Sequence, residues 1–223
     1  MCGRYTVYMA IEDVLDRWQC YAEGAVAMNW QPRYNLAPAQ QGLVIVQADK
    51  GNVLRTMRWG LIPRWAKDMN IGNRLINARL ETLDEKSAFR SSLQRRRCII
   101  PANGFYEWQK RASGKAPFYI TRDTGDPFCF AGLWDTWTAP TGESLNSFTI
   151  ITTVPAESLK SIHNRMPLVL PRELENIWLA GPGQDDMKLF LSLLRPEDRF
   201  VVYRVSDRVN KPANDSPELI VPA

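Results

Sequence analysis

The stretch Arg97-Cys98-Ile99-Ile100-Pro101-Ala102-Asn103-Gly104-Phe105-Tyr106-Glu107-Trp108-Gln109 decides the fold class. Two β-branched and aromatic runs, 98–100 and 104–109, are broken by a Pro/Gly turn, which predicts short strands in place of a helix. The same style continues on both sides. Upstream, 42–47 and 53–59 flank Asp49-Lys50-Gly51-Asn52, a hairpin signal, and 75–81 alternates apolar and polar residues as a half-buried strand does. Downstream, 117–122, 128–134, 147–153 and a last segment near 200–204 read as strands. Helical spacing is confined to short pieces. One is 9–18, with Ile11, Val14, Leu15 and Trp18 on one face. Another is 82–94, capped by Thr82 with Glu85 three residues on. Segments 156–162, 171–179 and 185–194 complete the set, and the stretch ending in Arg33–Pro38 reads as a loop. We therefore expect an α+β fold, a single domain over 1–223, with an antiparallel β core, either a sheet or barrel-like, and short flanking helices.

Composition narrows the classes. Of 223 residues, 45% are hydrophobic and 23% charged, as in ordinary globular proteins. The longest aliphatic run, Leu43-Val44-Ile45-Val46, is far below the roughly 20 residues that cross a bilayer. No apolar signal segment opens the chain, so no membrane association is expected and the cytosol, or the nucleus of a eukaryote, is the expected location. Cysteines at 2, 20, 98 and 129 lack metal-ligand spacing, and His163 is the single histidine, so neither a metal nor a cofactor is expected. The net charge of +4 suits a nucleic-acid partner and an ordinary basic surface equally well.

Several residues are candidates for chemistry. If Met1 is removed, Cys2 carries an α-amine and a thiol on adjacent carbons, a pair that condenses with an aldehyde to an imine and closes to a thiazolidine. Ordinary pKa values near ~8 for the amine and ~8.5 for the thiol leave both partly reactive at neutral pH. Asn77, Arg79 and Glu81 share one strand face, either a solvent face or the floor of a polar cavity. Glu107, between Tyr106 and Trp108, either faces water or is an acid whose pKa burial raises. His163 is either a helix C-cap or a proton-transfer group, and Arg165 is a candidate phosphate clamp. Arg95-Arg96-Arg97 reads as a solvated charge run at a helix end. Trp65, after Pro63-Arg64, is a candidate stacking platform for a base.

Taken in order, MCGRY, RYNLAP, WGLIPRW, INARLET, RCIIPANGFYEW and IHNRMPLVL closely resemble the SRAP (SOS response-associated peptidase, or abasic-site processing) family, from Met1 to Val209-Asn210-Lys211-Pro212. The resemblance implies an α+β fold with an antiparallel, β-barrel-like core, and covalent capture of abasic sites in single-stranded DNA. Cys2 would be the nucleophile, Asn77 would position it, and Glu107 and His163 would manage protons. Arg4, Arg79 and Arg165 would hold the DNA backbone. Asn164 stands where bacterial members often carry Asp. The peptidase label would refer to release of Met1, by the protein itself or by an aminopeptidase, and a monomer is expected. Two other classes stay open. One is a non-catalytic reader of damaged DNA; the other is an N-terminal-nucleophile amidohydrolase, in which the α-amine is base to the thiol.

Overall fold

The computed structural model describes residues 2–24, 29–112, 114–181 and 186–223. In its first half the chain forms β1 (Tyr5–Val7), α1 (Ile11–Arg17), β2 (Cys20–Ala22), β3 (Arg33–Leu36), β4 (Gln41–Ala48), β5 (Gly51–Trp59), β6 (Asn77–Arg79) and α2 (Ser87–Arg95). There follow β7 (Arg97–Ala102), β8 (Gly104–Arg111), β9 (Gly114–Arg122), β10 (Phe128–Thr138), β11 (Ser144–Thr153), β12 (Met166–Pro167), α3 (Arg172–Ala180), α4 (Met187–Leu193) and β13 (Phe200–Arg204).

The predicted hairpin forms between β4 and β5, where Gly51 takes the positive φ (118°) that favours glycine. β4, β5, β7, β10 and β11 then close into a barrel. Neighbours in the run β5-β4-β7-β10-β11 are antiparallel, and parallel pairing of Phe148 with Trp59 joins β11 back to β5. The core is therefore an α+β barrel of mixed, not wholly antiparallel, pairing. No local pattern announces that closing seam, because its partners are some ninety residues apart.

A second sheet, in the order β13-β9-β8-β1-β3, covers the barrel. Tyr5 reaches across from β1 to make edge contacts with Trp59 and Phe130, at centroid distances of 5.3 and 5.7 Å, and Phe105 of β8 does the same with Phe130 at 6.0 Å. Gly42 makes this approach possible, since a Cβ there would overlap the Tyr5 hydroxyl. Arg97, read as part of a solvated charge run, is instead buried. Its guanidinium donates to the carbonyls of Leu93, Gln94, Trp178 and Ala180, so one cation caps the C-terminal ends of both α2 and α3.

Four expectations need correction. Residues 33–36 are a strand, pairing Tyr5 with Leu36, where a loop was expected. The helix expected from Thr82 begins at Ser87, because Arg90 takes the Asp84 and Glu85 carbonyls and Lys86 is extended. Segment 156–162 holds only a 3-10 turn, Glu157–Leu159, and the Ser161 carbonyl is taken by the Gln109 side chain. The strand expected over 75–81 is cut to Asn77–Arg79, with 3-10 turns before and after, so Glu81 leaves the face it was expected to share. The start of the helix expected over 185–194 falls on Asp185, outside the described residues; α4 begins at Met187.

Candidate functional site

Cys2 lies just ahead of β1, whose Tyr5 and Thr6 pair with Phe105 and Gly104 of β8. The Tyr106 N–H donates to the Arg4 carbonyl at 3.0 Å, so the antiparallel ladder continues towards the N-terminus and draws Cys2 alongside Glu107 and Trp108. Cys2 is fully buried, with Sγ 3.8 Å from the Arg4 carbonyl. Burial pushes its thiol far above the ordinary value, and the nearby Glu107 charge pushes it further. The resting group is thus a thiol, without the reactive thiolate fraction that the ordinary pKa implied. Met1 lies outside the described residues.

Glu107 is buried on the strand face it shares with Phe105. Burial raises its carboxyl from 4.5 to about 7, with the Trp108 backbone N–H pulling the other way. Neither face of β8 meets water here: Tyr106, on the opposite side, is buried too and donates its hydroxyl proton to the Tyr34 carbonyl. Burial on both faces is why alternation alone could not place the carboxylate.

β11 gathers the remaining candidates at its C-terminal end. Asn77 pairs with Ile150 and Arg79 with Thr152 on one flank, while Met166 and Pro167 pair with Thr153 and Thr152 on the other. Asn77 donates from Nδ2 to the Ile76 carbonyl, which leaves its buried Oδ1 without a partner among the described residues. Arg79 is exposed. Arg165 is not free: it forms two hydrogen bonds to Glu81, at 2.7 and 2.9 Å, and donates to the carbonyl and hydroxyl of Thr152. Nδ1 of His163 lies 3.1 Å from the Arg165 backbone nitrogen and 3.2 Å from the Arg165 carbonyl oxygen, so the backbone of Arg165 anchors that edge of the ring. Burial lowers the His163 pKa from 6.5, and the charges of Lys110 and Lys115 lower it further, so the ring is neutral at pH 7. Gln109 bridges the two halves, its side-chain amide donating to the Ser161 carbonyl at 3.0 Å.

Trp65 stands apart. It is 57% exposed on the loop after β5, beside a groove lined by Lys67, Asn70, Ile71 and Arg74. That loop is fixed to the barrel on both sides of Trp65. The Arg64 N–H donates to buried Asp135, and the Trp137 indole donates to the Ala66 carbonyl. Arg4 is half-buried, bound through Nη1 to Asn35 Oδ1 and the Val209 carbonyl. Asn35, Glu81, Asp135 and Thr152 were not singled out as partners from sequence, since each matters through a contact distant along the chain. A separate cavity of about 360 Å³ beside α2 and α4 includes Arg97 in its lining, whose cation the helix carbonyls already occupy. Among the described residues, no cluster of three His, Cys, Asp or Glu side chains could hold a metal ion.

Comparison with known proteins decides the family. The family model for SOS response associated peptidase (SRAP) matches residues 1–212. The chain belongs to the SRAP family. It is 45% identical to the abasic site processing protein YoqW of Bacillus subtilis, with 99% of each chain covered. It is 34% identical to the abasic site processing protein HMCES of Gallus gallus, covering 86% of this chain and 67% of that one. Among solved structures, a Bacteroides thetaiotaomicron protein superposes with a TM-score of 0.88 at 28% identity over the whole of both chains. Of the residues that the SRAP motifs carry, Cys2 lies just ahead of β1 alongside Glu107 of β8, Asn77 and Arg79 flank β11, and Arg165 donates to Thr152 at its end.

Proposed function

We propose that this protein processes abasic sites in DNA by capturing the open-chain sugar of a single-stranded site on Cys2, after removal of Met1. The observation that carries the reading is the buried Cys2–Glu107 pair, a thiol beside a carboxyl whose pKa burial has moved to about 7. The names of the relatives supply the substrate class, since they are abasic site processing proteins.

The chemistry follows from the groups present. Protonated Glu107 donates to the ring oxygen of the closed sugar and favours the aldehyde. The Cys2 α-amine adds to C1′, and the resulting carbinolamine loses one water to give the imine. The thiol then adds across the C=N bond: sulfur bonds to C1′, its proton ends on nitrogen, and the thiazolidine ring closes. A thiol held protonated fits this order, because it stays out of the first step and reacts once an electrophilic imine lies beside it. Neutral His163 suits proton transfer near the departing hydroxyl. Asn77 Oδ1 is an acceptor suited to orienting the α-amine. Ring closure removes the imine, through which β-elimination would cut the strand. Exposed Arg79, with Arg4 and Arg165, supplies cations for the backbone, and Trp65 a stacking surface.

The test is denaturing electrophoresis with abasic single-stranded DNA. A covalent band is expected for the wild type and its loss for Cys2→Ala, with affinity for undamaged strands within a few-fold. A normal band from Cys2→Ala removes the thiazolidine reading; no band from either protein favours a non-covalent reader.

A further inference from the structure

Two of the sequence motifs, Arg33–Pro38 and Val209–Pro212, have no part in the chemistry above, and the structure joins them at Arg4. Asn35 is fully buried on β3. Its Oδ1 accepts from Arg4 Nη1 at 2.7 Å, and its Nδ2 lies 3.2, 3.1 and 2.7 Å from the carbonyls of Val209, Lys211 and Asn214. Arg4 Nη1 also donates to the Val209 carbonyl at 2.8 Å. Asp215 closes the arrangement by accepting from the backbone N–H groups of Tyr34 and Asn35. On the other side the Trp108 indole donates to Asn210 at 2.7 Å, and the Arg4 guanidinium lies 5.7 Å from the Trp108 ring centre.

Three carbonyls around one amide nitrogen fix which way the Asn35 side chain faces, because only NH₂ can meet them. The amide oxygen is then committed to Arg4. Both protons of Arg4 Nη1 are used, and Nε with Nη2 hold no hydrogen bond among the described residues. Those two nitrogens form the edge of a guanidinium that matches two oxygens of a phosphate.

The geometry points to Asn35 as the positioning residue of Arg4: with the 209–214 turn as its anchor, it holds one guanidinium nitrogen and keeps the Nε/Nη2 edge for a phosphate of the captured strand. This deepens the DNA-capture reading and rests on it. It also gives the C-terminal turn a task in binding, as the far half of a clasp on the strand that follows Cys2. An aspartate at 35 could not serve, since a carboxylate would face three carbonyls.

The test measures affinity for undamaged single-stranded DNA at low salt, and its salt dependence, in a double-mutant cycle. Asn35→Ala should weaken binding by roughly threefold to tenfold, the effect of releasing a preorganised group. The Asn35→Ala/Arg4→Ala double variant should bind no more weakly than Arg4→Ala alone, because Asn35 acts through Arg4. Losses that add, or wild-type binding by Asn35→Ala or by Arg4→Ala, overturn the inference. Arg4→Lys gives a second test that leaves Asn35 in place. Its single ammonium is absorbed by Asn35 Oδ1 and the Val209 carbonyl, so it should bind as weakly as Arg4→Ala although the charge is kept. Wild-type affinity in Arg4→Lys contradicts the proposal. A wild-type protein without salt-dependent DNA binding would overturn the parent reading along with it, whereas absent coupling in a protein that binds DNA overturns this inference alone.

Discussion

Arg165 and Glu81 face each other in a two-point ion pair, Nη1 to Oε1 at 2.7 Å and Nη2 to Oε2 at 2.9 Å, with the guanidinium largely buried and the carboxylate side chain 43% exposed. A phosphate that binds Arg165 must displace this carboxylate or share the cation with it. Glu81→Gln should therefore bind single-stranded DNA several-fold more tightly at low salt, with the gain shrinking as salt rises. Fluorescence anisotropy against salt reads both. Stability should change by no more than about 1 kcal/mol, because the carboxylate is partly solvated. Weaker binding by Glu81→Gln would make the pair a support for the loop and remove Arg165 from the backbone grip.

On the proposed mechanism, Glu107 should tie both rate and stability to pH. Its folded pKa of about 7 stands above the ordinary 4.5, so the fold favours the protonated form. The stability this gives is complete below about pH 4.5 and is lost as pH rises through about 7, on the order of 3 kcal/mol in all. Glu107→Gln should accordingly melt higher than wild type at pH 8, with the gap closing below pH 5. Capture should follow a bell-shaped pH profile, limited on the acid side by the protonated α-amine and on the alkaline side by ionised Glu107. In Glu107→Gln the maximum rate should fall by about 10²–10⁴-fold and the alkaline limb should vanish. An unchanged alkaline limb would assign it to another group.

How much of this was legible in sequence depends on how far apart the partners lie. The β4–β5 hairpin was plain because its turn chemistry is local, and β8 was plain from its run of aromatics. The α+β class followed from such local signals. The two-residue β12 was not legible because it is too short to show a period, and the three-residue β1 because its partner β8 lies far along the chain. At the site, Glu107 was equally readable as a solvent-facing residue, because β8 is buried on both faces: Glu107 and Phe105 are buried on one, while Tyr106 and Trp108 on the other bond to Tyr34 and Asn210. Asn35 was quoted within a motif without a task, since its partners are a cation 31 residues before it and carbonyls more than 170 residues after it.

Trp65 offers a clean separation of binding from folding. It is 57% exposed, so Trp65→Ala should leave the melting temperature nearly unchanged. If a base stacks on it, affinity for single-stranded DNA should fall by about 1–3 kcal/mol. Asp135→Ala should produce part of the same loss, because Asp135 fixes the loop through the Arg64 N–H. Undiminished affinity in Trp65→Ala would confine DNA contact to the Cys2 end of the barrel.

The central claim is that Cys2, freed of Met1, becomes covalently joined to the abasic sugar through both its nitrogen and its sulfur. Intact mass of the purified protein, before and after reaction with abasic single-stranded DNA, tests it most directly. The account predicts a free protein lighter than the full chain by one methionine, and an adduct equal to that protein plus the DNA minus one water. It further predicts that the adduct persists without borohydride and that Cys2 no longer reacts with a thiol alkylator. A protein that keeps Met1 yet forms the adduct at full yield would contradict the account, as would an adduct in which the Cys2 thiol is still open to alkylation.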